Sequence, residues 1–231
     1  MTARAIITAA IMAIAMTAAA QKKAARPAKK TSTAQSIARQ GFTDIADIDP
    51  TIHVSLMYAR ADNFTGRVLY GDLRQAFLHP MAAKALKEAQ RILKKERPDL
   101  SIKVYDAARP MSIQQKMWDA VKNTGHSFYV SNPKNGGGLH NYGLAVDITL
   151  CTADGDTIPM GTKIDNMNSL SHIDKESELL KTGKISREAY ANRQLLRKVM
   201  RAAGWKPLRT EWWHFNLRTR AQAKKYLKPL P

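Results

Sequence analysis

Cysteine is all but missing from this chain. The single residue, Cys151, excludes an intrachain disulfide and any zinc site built on paired thiolates. It stands at no catalytic spacing from a base, so it reads as a small buried hydrophobe. Acidic residues are also scarce, 19 against 37 lysines and arginines, for a formal charge of +18. A surface of that sign favours anionic partners, the cell envelope among them. Aromatics are only 7% of the chain. The basic clusters at 22–30, 94–97 and 224–228 are not interleaved with them in the manner of a nucleic-acid platform, so nucleic acid is not an expected partner. No internal repeat is visible, and the apolar run at 5–16 is too short to span a bilayer comfortably.

What remains is enough for one sizeable domain: 231 residues, 44% of them apolar. Residues 1–20 read as a secretory signal peptide, with Arg4 as the positive start, the apolar run as its core and Ala18, Ala19 and Ala20 at the cleavage positions. No cysteine follows, which excludes a lipoprotein anchor. Export to the periplasm or cell envelope is therefore expected, with no membrane span once the signal is removed. Residues 21–40, rich in Lys, Ala, Ser and Thr around Pro27, have too little apolar patterning to pack and read as a disordered basic linker. The domain proper is expected over 41–231.

Within it, Ile52, Val54 and Leu56 alternate with polar neighbours as a half-buried strand, and residues 62–66 form a turn. Residues 81–96 form an amphipathic helix between Pro80 and Pro98. Leu100, Ile102 and Val104 make a second strand. Ser112 is placed to cap a short helix carrying Ile113, Met117 and Val121. A loop over 124–138 ends in Asn-Gly-Gly-Gly and runs into a strand in which Leu144, Val146 and Ile148 alternate with Asp147. Residues 151–184 look irregular. Ser186 caps a long helix that Gly204 stops, with Leu195, Leu196, Val199, Met200 and Ala203 as its buried stripe. Residues 211–217 are an aromatic strand, and a short basic helix follows. The fold class is α+β, with a mostly antiparallel central sheet and flanking helices.

Chemistry concentrates in two stretches. Gly138-Leu139-His140-Asn141-Tyr142-Gly143-Leu144-Ala145-Val146-Asp147 sets an imidazole and a carboxylate seven residues apart, and both are good ligands for a borderline metal such as zinc. Glu211-Trp212-Trp213-His214 supplies a second histidine with a glutamate three residues before it. On a regular strand Glu211 and His214 face opposite sides, so a local twist or bulge is required for both to reach one metal. With that bulge, His140, Asp147 and His214 offer three ligands and leave a fourth position for water, the pattern of a catalytic site. Glu211 then sits beside the metal as general base. Arg109, after the second strand and before a proline, is a candidate cation for a developing oxyanion, or else an ordinary loop arginine.

These motifs, taken in order, resemble the zinc D-alanyl-D-alanine dipeptidases of the vancomycin-resistance type, relatives of the D,D- and L,D-carboxypeptidases and of the hedgehog signalling domain. The family motif Ser-x-His-x-x-Gly-x-Ala-x-Asp is matched over 138–147 and its Glu-x-x-His over 211–214. Residues 58–70, 105–110, 160–165 and Ser171-His172 look like further family segments, so the likeness covers about 42–217. It implies one zinc per chain on His140, Asp147 and His214, in a cleft on the sheet. It implies Glu211 as general base and acid, Arg109 on the tetrahedral intermediate, Asp165 on the free ammonium of a dipeptide, and Tyr58 in the same pocket. Two departures stand out: Gly138 replaces the motif's Ser, a residue that helps hold the substrate carboxylate, and Asn141-Tyr142 replaces Ser-Arg.

The resulting expectation is a hydrolase acting on D-alanyl-D-alanine or a similar small peptide in cell-wall turnover. Two other readings stay open. One is a peptidoglycan carboxypeptidase or endopeptidase, distinguished by substrate length. The other is a non-catalytic zinc module that binds wall polymer through its positive charge.

Overall fold

The chain forms a five-stranded main sheet, a small second sheet and the helices that pack on them. In this computed structural model the described residues are 31–231. In chain order the elements are α1 (Thr33–Arg39), β1 (Thr43–Asp44), α2 (Ile45–Ile48), β2 (His53–Val54), β3 (Phe77–Leu78), α3 (Pro80–Glu96), β4 (Leu100–Asp106), α4 (Met111–Val121), β5 (Ala145–Thr152), α5 (Glu176–Lys181), α6 (Arg187–Ala202), β6 (Lys206–Leu208), β7 (Glu211–Asn216) and α7 (Arg220–Tyr226).

The expected signal peptide, and the linker as far as residue 30, lie outside the described residues. From Thr31 onward the linker expectation is overturned. Ser32 accepts from the Gln35 amide, the Gln35 side chain answers the Ser32 amide, and α1 follows with Ile37 buried. A reciprocal capping box and one apolar anchor suffice to order so short a helix, and Thr33 ties it down through its amide 3.0 Å from Asp72.

The main sheet runs β2-β4-β5-β7-β6, and β1 pairs with β3 in a small second sheet. β4–β5, β5–β7 and β7–β6 are antiparallel, but β2 runs parallel to β4. The expected mostly antiparallel sheet is thus corrected to a mixed one. A parallel pair needs a long crossover, and α3 lies in the connection between β2 and β4. Helix α3 begins at Pro80, whose missing N–H costs nothing at the first helical position. It ends before Pro98, with Lys94 and Lys95 at the negative end of its dipole. It buries Ala82, Leu86, Ala89 and Leu93, and packs against α6 and β4.

Other expectations shift in detail. Helix α4 starts at Met111 with Pro110 in the cap position, so Ser112 is not its cap. The region 151–184 contains α5 and two single 3-10 turns rather than only irregular chain. On α6 the buried face holds Asn192, Arg193 and Arg197 beside Leu196, Val199 and Met200. These cations are tolerated because Glu176, itself buried, pairs with Arg197 and lies 3.7 Å from Arg193. Cys151 is fully buried as expected, and burial pushes its thiol up to about 11. Among the described residues no helix is long and apolar enough to cross a membrane.

Two irregularities shape the centre of the sheet. On β4, Val104 faces Ile148 but Asp106 faces Asp147, which leaves Tyr105 as an extra residue. On β7, Pro207 faces Phe215, whereas the next residue, Leu208, faces Glu211 instead of His214. The second irregularity is the local bulge that the Glu-x-x-His spacing required. Gly143 sets the third constraint. Its φ is +62°, and a Cβ there would lie 2.5 Å from the Phe42 ring and 2.7 Å from the His79 amide nitrogen. Gly143→Ala is expected to cost about 2–5 kcal/mol, from the left-handed backbone and overpacking together. The check is a fall in the urea midpoint with the slope unchanged.

Candidate metal centre and substrate cavity

Strand β5 carries Asp147 and strand β7 carries His214, and the two residues are direct cross-strand partners. Neighbours of that kind have Cβ atoms about 5 Å apart, close enough for short side chains to share a ligand. His214 Nδ1 is 2.9 Å from Asp147 Oδ1. His140 reaches the same point from the 3-10 turn Leu139–Tyr142, which Gly143 ends in the left-handed region. Its Nε2 is 3.3 Å from Asp147 Oδ2 and 3.3 Å from His214 Nδ1.

The hydrogen bonds on the far side of each ring fit the set to a metal. His140 Nδ1 is 2.7 Å from the Ala107 carbonyl, which can only accept, so the proton is on Nδ1 and the Nε2 lone pair faces inward. His214 Nε2 donates to Asn216 Oδ1 at 2.9 Å, which frees Nδ1 in the same way. Two lone pairs and a carboxylate then converge, with one ligand atom from each residue inside 4.8 Å of the others. Such a cluster repels itself unless a proton or a metal ion sits within it. Burial alone would raise the Asp147 carboxyl, but the two imidazoles outweigh it and hold it well below the usual carboxylate range. The donor set is one that a divalent ion can use.

Around this centre lies a cavity of about 200 Å³. Glu211 lines it, with Oε2 4.0 Å from His214 Nδ1. Burial is the largest influence on Glu211, ahead of His214, which opposes it; Asp147 and Asp165 add to the rise, and its pKa is pushed up to about 7. Arg109 also lines the cavity and is 8% exposed. Its Nε is 2.9 Å from Asp106 Oδ2, its Nη2 pairs with the same oxygen, and its Nη1 is 2.9 Å from Gln114 Oε1. Three of its five N–H groups are thus engaged, which leaves two for a ligand. The guanidinium lies 5.2 Å from the Tyr58 ring centre.

Tyr58 and Asp165 complete the lining. The phenol donates to both carboxylate oxygens, at 3.1 and 3.0 Å. Burial keeps the phenol protonated well above its ordinary range. Asp165 has a φ of 62°, rare for a side-chain-bearing residue, and burial, with Asp147 nearby, pushes its carboxyl up to about 7. Its loop is strapped to α6: Asn192 donates to the Pro159 carbonyl at 2.8 Å, Arg193 to those of Met160 at 2.7 Å and Leu170 at 3.0 Å.

All seven residues singled out in the sequence therefore line one cavity. The supporting residues were not foreseen: Asp106, Tyr70, Gln114, Asn141 and Asn216. Asp106 is fully buried, anchors Arg109 and accepts from Tyr70. Asn141 donates to the Arg109 carbonyl at 2.8 Å. The Asp106-x-x-Arg109 spacing was a possible signal, since an acid three residues before a cation is a short-range pair. Nothing local marked Asn216.

A family model described as D-ala-D-ala dipeptidase matches residues 38–229. A D-alanyl-D-alanine dipeptidase of Escherichia coli (strain K12) is 34% identical over 176 residues, covering 76% of this chain and 84% of the relative. Proteins of the same name from Enterococcus faecium and Streptomyces coelicolor are 26% and 27% identical, covering 80% and 77% of this chain and 96% and 91% of their own lengths.

Asn216→Ala removes the acceptor that fixes the His214 ring. Metal affinity, read by competition with a chelator, is expected to fall about 10- to 100-fold while the fold is kept.

Proposed function

The chain belongs to the D-Ala-D-Ala dipeptidase family, and on that premise we propose that it is an exported zinc metallopeptidase hydrolysing D-alanyl-D-alanine or a similarly small dipeptide in cell-wall turnover. One observation carries the choice of substrate: the Tyr58–Asp165 pair lines the same cavity as the metal triad, Glu211 and Arg109. A partly desolvated carboxylate needs a cation, and a dipeptide's ammonium is borne by the same residue as its scissile carbonyl. A longer peptide brings a neutral amide there and leaves Asp165 unpaired, at a cost of about 1–3 kcal/mol or more. The cavity volume of about 200 Å³ lies below the roughly 300–1,000 Å³ of ordinary small-molecule sites.

His140, Asp147 and His214 would hold the zinc ion, which when bound supplies Lewis acidity and makes a water acidic near neutral pH. The protein's own groups do the rest. Asp165, kept in place by Tyr58 and the α6 strap, receives the ammonium and sets the peptide's register. Glu211, with a pKa near 7 before any cation draws it down, takes a proton from the attacking water. It returns that proton to the departing amine, a matched pair of steps for a group poised near working pH. Arg109, held by Asp106 and Gln114, meets the negative charge that develops on the attacked carbonyl oxygen. Because its carboxylate partner is already bound, the guanidinium pays no reorganisation cost when that charge appears. The N-terminal signal-like segment supports action outside the inner membrane, on dipeptide or wall fragments there.

The test is zinc content together with hydrolysis rates on D,D-, L,D- and L,L-dipeptides beside a pentapeptide stem. Turnover confined to free D,D-dipeptides is expected; activity on the stem with none on free dipeptides would turn the reading to a carboxypeptidase. Glu211→Gln is expected to keep its metal and lose about 10²- to 10⁴-fold in kcat; retained turnover removes Glu211 as the base. Arg109→Lys should fold, yet lose about 10²- to 10³-fold, since a point charge cannot span Asp106, Gln114 and the oxyanion together. An unchanged kcat returns Arg109 to a structural role.

A further inference from the structure

Gly138 is not glycine for backbone reasons. Its φ of −106° and ψ of −177° are extended values open to any residue. What it lacks is room. A Cβ at position 138 would lie 2.9 Å from Ser131 Oγ and 3.3 Å from Ser131 Cβ. The serine that occupies this space comes from the preceding loop, and both residues line the cavity.

Ser131 is held as a site residue is held. Its carbonyl accepts from Gln114 Nε2 at 2.8 Å, and the other end of that amide accepts from Arg109 at 2.9 Å. The loop is therefore hung on the buried guanidinium. Its hydroxyl, by contrast, makes no hydrogen bond among the described residues. Gly138, Leu139 and Arg220, whose Nη2 donates to the Asn135 carbonyl at 3.1 Å, line the same cavity. The three acids of the cavity, Asp147, Asp165 and Glu211, come from other segments.

Resting on the dipeptidase reading, we propose that Ser131 is a specificity-determining residue whose hydroxyl donates to the free C-terminal carboxylate of the substrate, with Gly138 kept side-chain-free to admit it. A dipeptide carries a cation and an anion at its two ends. Asp165 answers the first, and the Ser131 hydroxyl answers the second. A hydroxyl with no protein partner, on a loop fixed through Gln114 to Arg109, is suited to a carboxylate oxygen.

The experiment compares the wild-type holoenzyme with Ser131→Ala on D-alanyl-D-alanine and on its C-terminal amide. The expected result is a rise of about tenfold or more in KM for the free acid, the loss of one hydrogen bond to a charged group. KM should carry most of the loss, and the amide, which offers only a neutral acceptor, should lose less, so that the preference for the acid over the amide narrows. An unchanged KM for the acid, or an equal loss on acid and amide, overturns the assignment while leaving the dipeptidase reading intact. A wild-type protein that cleaves no free dipeptide overturns both.

Discussion

The pairing of Asp147 with His214 across β5 and β7 is the constraint on which the rest of the site depends. A shift of one residue in that register would send one of the two side chains to the opposite face of the sheet. The register is held from outside the site. Val146 and Phe215, the next pair along, are fully buried, and Trp213 is 2% exposed. Moving them to fit another pairing would forfeit roughly 1.5–3 kcal/mol for each large apolar side chain brought into water. The ligands are positioned by a core that has no chemical role.

Around that pair the molecule manages an unusual density of buried charge for so basic a chain. Asp106 balances Arg109, Glu176 balances Arg197 and Arg193, and Tyr58 donates to Asp165. Each pair is buried or nearly so, and removing one partner of such a pair typically costs about 3–5 kcal/mol. The exceptions are informative. Asp147, His140 and His214 turn one ligand atom each toward a common point that a metal ion can occupy. Burial, reinforced by Asp147, outweighs the nearby cations at Asp165 and Glu211 and pushes both up to about 7. Groups left electrically unfinished are the ones a metal, an ammonium or a transferred proton can complete.

A division of labour between elements follows. The sheet supplies Asp147, His214 and Glu211, the 3-10 turn before β5 supplies His140, and loops supply Arg109, Tyr58, Ser131 and Asp165. Loops make poor platforms unless they are tied down, and here each is tied. Arg109 is pinned through Asp106 and Gln114, Ser131 through Gln114, and the Asp165 loop through Asn192 and Arg193 of α6. The buried polar face of α6, an odd choice for a helix packed on a sheet, becomes intelligible as the anchor of the loop that carries Asp165.

The sequence by itself determined the elements that obey a local rule. Helix α3 lies between two prolines, α6 between Ser186 and a glycine, and β4 and β5 announce themselves by alternation. It also pointed to the candidate metal ligands and to Glu211, because a histidine, a carboxylate and a Glu-x-x-His at those spacings together have few other uses. Only the tertiary structure decided the parallel placement of β2, the α1 helix where a linker was expected, and the bulge that turns Glu211 and His214 to one side. It alone brought Ser131 into the space beside Gly138, seven residues away along a loop with no period to read. The physical reason is common to all of these. Capping, alternation and helical spacing are energies between neighbours in the chain, whereas register, crossover and the filling of a missing side chain's volume are energies between segments that meet only once the core has closed.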